Sequence, residues 1–430
     1  MSRPPSPLFP SPGEHLSPTP RTSALVALIG IAGLALALPL VVVLLAVLAG
    51  AVIADLLAVR EPPAIRRASP RSTSRATPAS LSLRQVAPLP GSLRLRQPVP
   101  ADVELEPSES DVELEAALVA HRRGRHTLGQ PAARRTGPLG LGRRDFALLQ
   151  DEELLVYPDL PAASRIAESV RRGRFRDEGH RLRGRLGLGT EFESVRDYQP
   201  DDDIRRVNWA ATVRVGRPMS NQYRVEQDRD LVCLLDCGRL MGAPLAGATR
   251  LDFAVDAVTA IAAVADELGD RCGLVAFDSE IRRLVRPTRR AARGIVAALF
   301  DLEPTPVQSD YTRALREVGS AKRSFVLVLT DLLEPSAARP LVDAIPTVAR
   351  RHHAVVASAT DPELEAMLAR DPRTGLDVQR AVAAAEVLES RARAVAALRG
   401  VRAAVVEAAP EKLGAACVQA YLRAKARARL

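Results

Sequence analysis

The chain has 430 residues, more than the roughly 100–200 of a typical domain, so its length predicts two or three folded units. Its formal charge is +9, but the arginines are scattered among acidic residues and aromatic residues make up only 3% of the chain. Without an RNP-like aromatic stretch or zinc-finger spacing, this pattern argues against nucleic-acid binding. The four cysteines form no CxxC pair and are expected to be reduced, buried thiols in a cytosolic compartment.

The N-terminal region predicts a tail and then a membrane anchor. Residues 1–21 are rich in proline and serine and are expected to be disordered. The run 24–54 contains no charged residue; it is longer than one span of about 20 residues but short for two full spans. Because Pro39 divides this run near its middle, we predict a tight transmembrane helical hairpin over residues 22–59, with a single tilted, kinked helix as the alternative.

Arginines flank the apolar run on both sides, one before it and five soon after it: Arg21, Arg60, Arg66, Arg67, Arg71 and Arg75. Positively charged flanks stay inside, so the soluble domains are expected to face the cytoplasm from the cytoplasmic (inner) membrane. Residues 60–100 are again rich in proline, serine and arginine. They are predicted to be a juxtamembrane linker whose arginines contact anionic headgroups.

Residues 101–160 are predicted to form a small β-domain. The motif DVELE starts at Asp102 and again at Asp111, with the turn-forming residues Pro-Ser-Glu-Ser between the copies. Alternation of apolar and polar residues with a period of two, interrupted by turn residues, is typical of short strands.

From residue 231 to residue 430, apolar strands alternate with amphipathic helices. The strand candidates are 231–236, 272–278, 324–331, 353–361 and 401–408. Nearly continuous apolar strands separated by helices indicate a parallel sheet covered on both faces. We therefore predict a doubly wound α/β domain.

Three of these strands end in aspartate: Asp236, Asp278 and Asp331. Ligands of such sheets bind at the carboxyl ends of the strands, near a topological switch point. Neighbouring buried carboxylates repel each other unless they are neutralised, and a hard cation such as Mg²⁺ takes oxygen ligands. The alternative is that these aspartates only cap the helices that follow.

The segment 161–230 contains the most distinctive sequence of the chain, GTEFESVRDYQPDDDIRRVNWAATVRVGRP at 189–218. It resembles the signature of the DUF58 family, bacterial proteins with a von Willebrand factor A-like domain. The matching residues are Glu191, Phe192, Arg196, Tyr198, Asp202, Asp203, Arg205, Trp209 and Arg214. One departure is Asp201, where the family usually has glycine.

The resemblance implies an N-terminal membrane hairpin, an intervening β-region and an A-like domain. A-domains that hold a metal use Asp-x-Ser-x-Ser, a threonine and a further aspartate. Here both serine positions have lost their hydroxyl, and are Gly238 and Leu240. The metal ligands that the resemblance leaves are Asp236, Ser309 and Asp331. We expect no cofactor, or at most weakly bound Mg²⁺, because waters must replace the lost hydroxyls.

Two interpretations of the signature remain open. Its arginines and acids form an internal network with Trp209 as an apolar anchor, or Arg, Tyr and Trp form an exposed docking surface. Arg239 also bears on the metal question, because it competes with a cation or pairs with Asp236.

DUF58 proteins are often encoded beside MoxR-type AAA+ ATPases. The resemblance therefore implies a membrane-anchored, non-enzymatic adaptor that acts with such an ATPase in the assembly or maturation of envelope or other partner proteins. The alternative is a metal-assisted hydrolase or phosphotransferase that uses Asp236. A haloacid-dehalogenase-like enzyme needs a second acid two residues after its aspartate, and this chain has Gly238 there.

Overall fold

A computed structural model describes residues 15–33, 38–173, 191–199, 202, 204, 207–224, 230–319, 323–332 and 335–426. The chain divides into two compact units, Met1–Tyr157 and Pro158–Leu430.

The first unit begins with a short strand and two apolar helices. Strand β1 (His15–Pro18) leads into helix α1 (Pro20–Ala32), and helix α2 (Leu38–Ala58) follows. In the described part of the chain, α2 is the one helix that is long and apolar enough to cross a membrane, while α1 is shorter. At 1.5 Å per residue, the 21 residues of α2 span about 30 Å, the thickness of the hydrocarbon core.

The rest of this unit is built from short strands. In chain order they are β2 (Ile65–Ala68), β3 (Ser72–Ser74), β4 (Ala79–Gln85), β5 (Ser92–Arg96), β6 (Val103–Glu106), β7 (Glu109–Asp111), β8 (Glu113–Ala120), β9 (Gly124–Leu128), β10 (Ala132–Thr136), β11 (Gly142–Ala147) and β12 (Glu152–Tyr157). They form three sheets, in the orders β1-β11-β10-β5-β7, β2-β4-β8-β6 and β3-β12-β9. Strand β8 illustrates how these strands form a core. Its residues alternate between exposed and buried, so one face of the strand packs into the core.

Two N-terminal predictions differ from the structure. The predicted linker, residues 60–100, contains β2 to β5, and Leu81, Leu83 and Leu95 from it lie in the core. Arginine and serine occupy the outward positions of these strands, so their composition resembles that of a linker. The predicted tail, residues 1–21, contains β1 and the start of α1; residues 1–14 lie outside the described part of the chain.

The second unit contains a six-stranded sheet and its helices. The elements before the sheet are α3 (Leu160–Arg171), β13 (Glu191–Asp197), α4 (Trp209–Val215) and β14 (Met219–Arg224). The elements that follow are β15 (Asp230–Asp236), β16 (Pro244–Leu245), β17 (Ala248–Thr249), α5 (Arg250–Leu268), β18 (Arg271–Phe277), β19 (Ile281–Thr288), α6 (Ala292–Leu299), α7 (Tyr311–Arg316), β20 (Ser324–Leu329), α8 (Pro335–Ala349), β21 (His353–Ala359), α9 (Pro362–Ala369), α10 (Gly375–Gly400), β22 (Ala404–Ala408) and α11 (Leu413–Ala426).

The order of strands in this sheet is β19-β18-β15-β20-β21-β22. All neighbours are parallel except β19, which runs antiparallel to β18 at one edge. The five parallel strands are the five that the sequence predicts. Strand β19 was not predicted, because its exposed positions carry arginines and its sequence contains Pro287.

Both faces of the sheet are covered. Alternate residues of β15 enter two separate cores: Leu231, Cys233 and Leu235 pack with α3, α5, α6 and α11, whereas Val232 and Leu234 pack with α7, α8 and α10. This arrangement is the predicted doubly wound α/β architecture. Helix α3 packs against this sheet, although the sequence analysis assigned its residues to the signature segment 161–230.

Helix α5 begins with a capping box in which the Thr249 hydroxyl accepts from the Asp252 amide and the Asp252 carboxylate accepts from Thr249. Thr249→Ala should therefore lower the free energy of unfolding by about 1 kcal/mol, or roughly 2–4 °C in melting temperature. Thr249→Ser keeps the hydroxyl and should melt like the wild type. Thermal melts of the purified full chain test this; equal melting of the alanine variant and the wild type would contradict it.

Candidate functional site

Aspartates stand at the carboxyl ends of four neighbouring strands. Asp236 is the last residue of β15, Asp278 follows β18, Asp331 follows β20 and Asp361 follows β21. The three that the sequence predicts, Asp236, Asp278 and Asp331, are buried. Buried carboxylates need compensating partners, so these partners define what this edge of the sheet can bind.

Asp236 accepts hydrogen bonds at both carboxylate oxygens. Its Oδ1 accepts from the Gly238 amide at 2.8 Å and from the Ser309 hydroxyl. Its Oδ2 accepts from the Tyr311 hydroxyl at 2.8 Å and from the Thr330 hydroxyl at 2.7 Å. A carboxylate offers about four lone-pair sites, so these donors satisfy Asp236.

Tyr311 is held as a hydrogen-bond donor to Asp236. Burial first, and then the neighbouring Asp236 carboxylate, raise the pKa of Tyr311 well above its ordinary value, so the phenol stays protonated and remains a donor. Its ring packs against that of Phe277 in a T-shaped arrangement, with centroids 5.5 Å apart. Sequence reasoning placed Ser309 beside Asp236 but missed Tyr311 and Thr330, since a single aromatic or hydroxyl residue in a loop gives no distinctive signal.

Asp331 has a cation of its own chain beside it. Arg250, the first residue of α5, is buried and lies 3.4 Å from Asp331 and 3.4 Å from Asp361. It also donates to the carbonyl oxygen of Ala359 at 3.3 Å. The sequence assigned the competing positive charge to Arg239, but Arg239 is exposed, and the guanidinium beside Asp331 is that of the buried Arg250.

Asp278 forms a local turn instead of facing a ligand. Its carboxylate accepts from the Glu280 amide at 2.8 Å and from the Thr305 hydroxyl at 2.9 Å. Its carbonyl accepts from the Asp310 amide at 2.8 Å. Asp278 thus connects the loop after β18 to the segment before α7.

The residues at this edge do not fit the metal that an A-like domain implies. A β-carbon on Gly238, the position of the first lost serine, would lie 2.8 Å from the Val307 carbonyl oxygen and closer still to the Ser309 hydroxyl. The loop before α7 therefore occupies the space of that side chain. Among the described residues, no group of three or more His, Cys, Asp or Glu side chains is arranged to hold a metal ion.

The signature forms a second candidate site, here termed the signature arm: strands β13 and β14, which pair antiparallel, and helix α4 between them. Asp202 organises its polar part by pairing with Arg196 and accepting from the Gln199 amide at 2.9 Å. The Tyr198 hydroxyl donates to the carbonyl of Asp202 at 3.0 Å. The predicted network is therefore present around Asp202.

Five further signature residues were predicted, and the structure describes three of them. Asp203 and Arg205 lie outside the described residues. Glu191 and Phe192 belong to strand β13 and Arg214 to helix α4, where Arg214 is exposed.

Trp209 is not the apolar anchor that one interpretation predicts. Its side chain is 67% exposed, and that of Val213, four residues later, is 83% exposed. Residues four apart lie on the same face of a helix, so the two side chains form one apolar face of α4. The signature arm thus has a largely buried Asp202 carboxylate in its polar network and a mostly exposed tryptophan.

Polar contacts that the sequence analysis missed hold α4 in place. The Asn208 side chain accepts from the Ala211 amide at 2.9 Å and donates to Asn221 at 2.8 Å. The Thr212 hydroxyl accepts from the Met219 amide at 3.0 Å, and Gly216 ends the helix at a φ of 73°. Asparagine before a short helix and glycine after it are recognisable capping signals.

The arrangement around Asp236 predicts how the protein responds to divalent cations. Millimolar Mg²⁺ should leave its melting temperature unchanged, since a ligand that binds only the folded state raises stability by RT ln(1 + [L]/Kd). Gly238→Ser should restore no response and should itself destabilise the fold, because its side chain collides with Val307 and Ser309. Thermal melts and calorimetry measure both; micromolar Mg²⁺ affinity that Asp236→Ala abolishes would contradict the prediction.

Comparison with known proteins identifies the signature. Residues 194–399 match the family described as protein of unknown function DUF58. The chain is also similar to uncharacterised proteins of Mycobacterium bovis and of two strains of Mycobacterium tuberculosis, each 27% identical over 183 residues. The similarity covers 41% of this chain and 56% of each relative, so the chain spans about half the length of the curated relatives it matches. The similarity to DUF58 proteins therefore lies in residues 194–399 of this chain.

Proposed function

We propose that the protein is a membrane-anchored, non-enzymatic adaptor whose signature arm binds a partner protein. The observation that carries this proposal is the exposed apolar face of Trp209 and Val213 on a helix whose backbone is fixed by polar contacts. An exposed tryptophan on a rigid element is typical of an interface hot spot, because burying it on binding requires little ordering.

The exposed side chains of α4 also suit a protein partner. Arg214 is exposed on the same short helix, and arginine and tryptophan are both enriched in hot spots. Arg217, between α4 and β14, pairs with Asp197 at the end of β13 at 3.2 Å, which supports the junction between the helix and the two strands. The arm therefore offers an apolar centre with charged residues around it, the usual pattern of a protein interface.

The DUF58 resemblance suggests the partner, a MoxR-type AAA+ ATPase, and the process, assembly or maturation of envelope or other partner proteins. The order of the parallel strands supports a von Willebrand factor A-like fold for the second unit. The hydrogen bonds that satisfy Asp236 favour this adaptor over a metal-assisted hydrolase or phosphotransferase, since Asp236 would have to break them to act.

The membrane anchor in this proposal is a hairpin of α1 and α2. The start of α1 and the end of α2 contact one loop: the Thr19 hydroxyl donates to the Gly140 carbonyl at 2.6 Å, and the Leu141 amide donates to Asp55 at 2.7 Å. One spanning helix would put these ends on opposite sides of the bilayer, so the shared contact supports the hairpin. The arginines at both ends, Arg21 and Arg60, favour the cytoplasmic side of the inner membrane.

The adaptor proposal predicts that Trp209→Ala separates binding from folding. Because the indole is mostly exposed, the free energy of unfolding should change by less than about 0.5 kcal/mol. Affinity for a purified MoxR-type ATPase should fall at least about tenfold if Trp209 is a hot spot. Val382→Ala removes a side chain that is 54% exposed on α10 and should change neither. Melting and binding assays in the presence and absence of ATP test this; unchanged binding of the Trp209 variant would contradict the proposal.

The hairpin predicts a cytoplasmic C-terminus. An alkaline phosphatase fused after Leu430 should be inactive in cells, whereas a green fluorescent protein at the same position should fluoresce. The opposite pair of results would place the soluble units outside the cytoplasm and contradict the proposed orientation.

A further inference from the structure

We propose that the loop of residues 137–142 is a lipid-contacting loop, which inserts Leu139 into the interfacial layer of the membrane. The inference rests on the membrane anchor of the proposed function. It concerns the first unit, where neither the family signature nor the α/β sheet assigns a role to the loop.

The end of α2 fixes this loop from one side. Asp55, which is 2% exposed, accepts from three backbone amides of the loop: those of Leu139 at 2.9 Å, Leu141 at 2.7 Å and Gly142 at 2.8 Å. Asp55 lies about one turn before α2 ends at Ala58. The loop therefore packs beside the last turn of the apolar helix, at the level where its uncharged stretch ends.

The start of α1 fixes the same loop from the other side. The hydroxyls of Thr19 and Thr22 donate to the carbonyls of Gly140 and Leu141, each at 2.6 Å. The Thr19 amide also donates to the Leu141 carbonyl, at 2.9 Å. With both ends of the proposed hairpin bound to it, the loop cannot lie away from the boundary between the apolar core and the headgroups.

The side chains exposed around the loop suit that boundary. Leu139 is 57% exposed although its backbone is held rigidly, and Leu16 and Leu57 beside the ends of the two helices are exposed as well. Arg21 and Arg60, at the ends of the same helices, are exposed cations placed to contact anionic headgroups. Apolar residues with flanking arginines, continuous with two apolar helices, indicate lipid as the occupant of this surface.

The test places an environment-sensitive probe in the full chain. Leu139→Cys is labelled with a nitrobenzoxadiazole dye, and Leu149→Cys serves as the control, because Leu149 is 47% exposed and lies beyond the opposite end of strand β11. The four native cysteines are all buried, and none of them forms a disulfide, so the dye reacts at the introduced position. The labelled proteins are reconstituted into vesicles of phosphatidylcholine and phosphatidylglycerol, with and without lipids that carry a nitroxide near the headgroup.

The proposal predicts that the dye at position 139 is blue-shifted and is quenched severalfold more strongly by the nitroxide lipids than the dye at position 149. Equal, water-like emission and equal quenching at both positions, in protein that floats with the vesicles and resists carbonate extraction, would overturn the lipid-contacting loop but leave the anchor intact. Protein that does not float with the vesicles would overturn the anchor and this inference together.

Discussion

The arrangement of the second unit depends on one buried carboxylate at the end of its central strand. Asp236 binds donors from three segments: the loop after β15, the segment around Ser309 and Tyr311, and Thr330 after β20. A buried carboxylate without such partners costs several kcal/mol, so the hydrogen bonds to Asp236 hold the three segments together. The Arg250 guanidinium likewise holds together the loops after β20 and β21, because it contacts both Asp331 and Asp361. The chain's own donors and a guanidinium thus organise the edge where related folds place a ligand.

Because the chain's own side chains occupy this edge of the sheet, we expect a partner to bind at the signature arm instead. In most folded proteins, charged residues face solvent and tryptophan is largely buried. In the signature arm, by contrast, Trp209 is mostly exposed, while Asp202 pairs with Arg196 and accepts from the Gln199 amide. An exposed tryptophan on a helix held by polar contacts is the feature on which the proposed partner surface rests.

Sequence reasoning was most accurate where one physical signal dominates. Each of the five parallel strands is an almost uninterrupted apolar run, because both of its faces are buried, and each was located to within a few residues. Strand β19 and the strands between residues 60 and 100 were missed because only part of their surface is buried. Arginine and serine at the outward positions of these strands, with Pro287 in β19, gave them the composition of loops.

The chemistry of the site was predictable only in part. The losses at Gly238 and Leu240 were apparent from the family resemblance, which also grouped Ser309 with Asp236 as a candidate metal ligand. Arg250, Tyr311 and Thr330 could not be assigned, because they reach Asp331 and Asp236 from distant segments and depend on how the sheet is wound. Whether Trp209 is buried or exposed was equally open, since both outcomes are compatible with a charged, aromatic segment.

The central claim is that the exposed face of α4 is a protein-binding surface. Its most direct test is site-specific photocrosslinking in native membranes, with a benzoylphenylalanine at position 213 and a control at position 382, followed by mass spectrometry of the adducts. The account predicts a discrete adduct with a MoxR-type ATPase from position 213 and none from position 382. Adducts at neither position, or the same adducts at both, in protein that is folded and in the membrane, would contradict it.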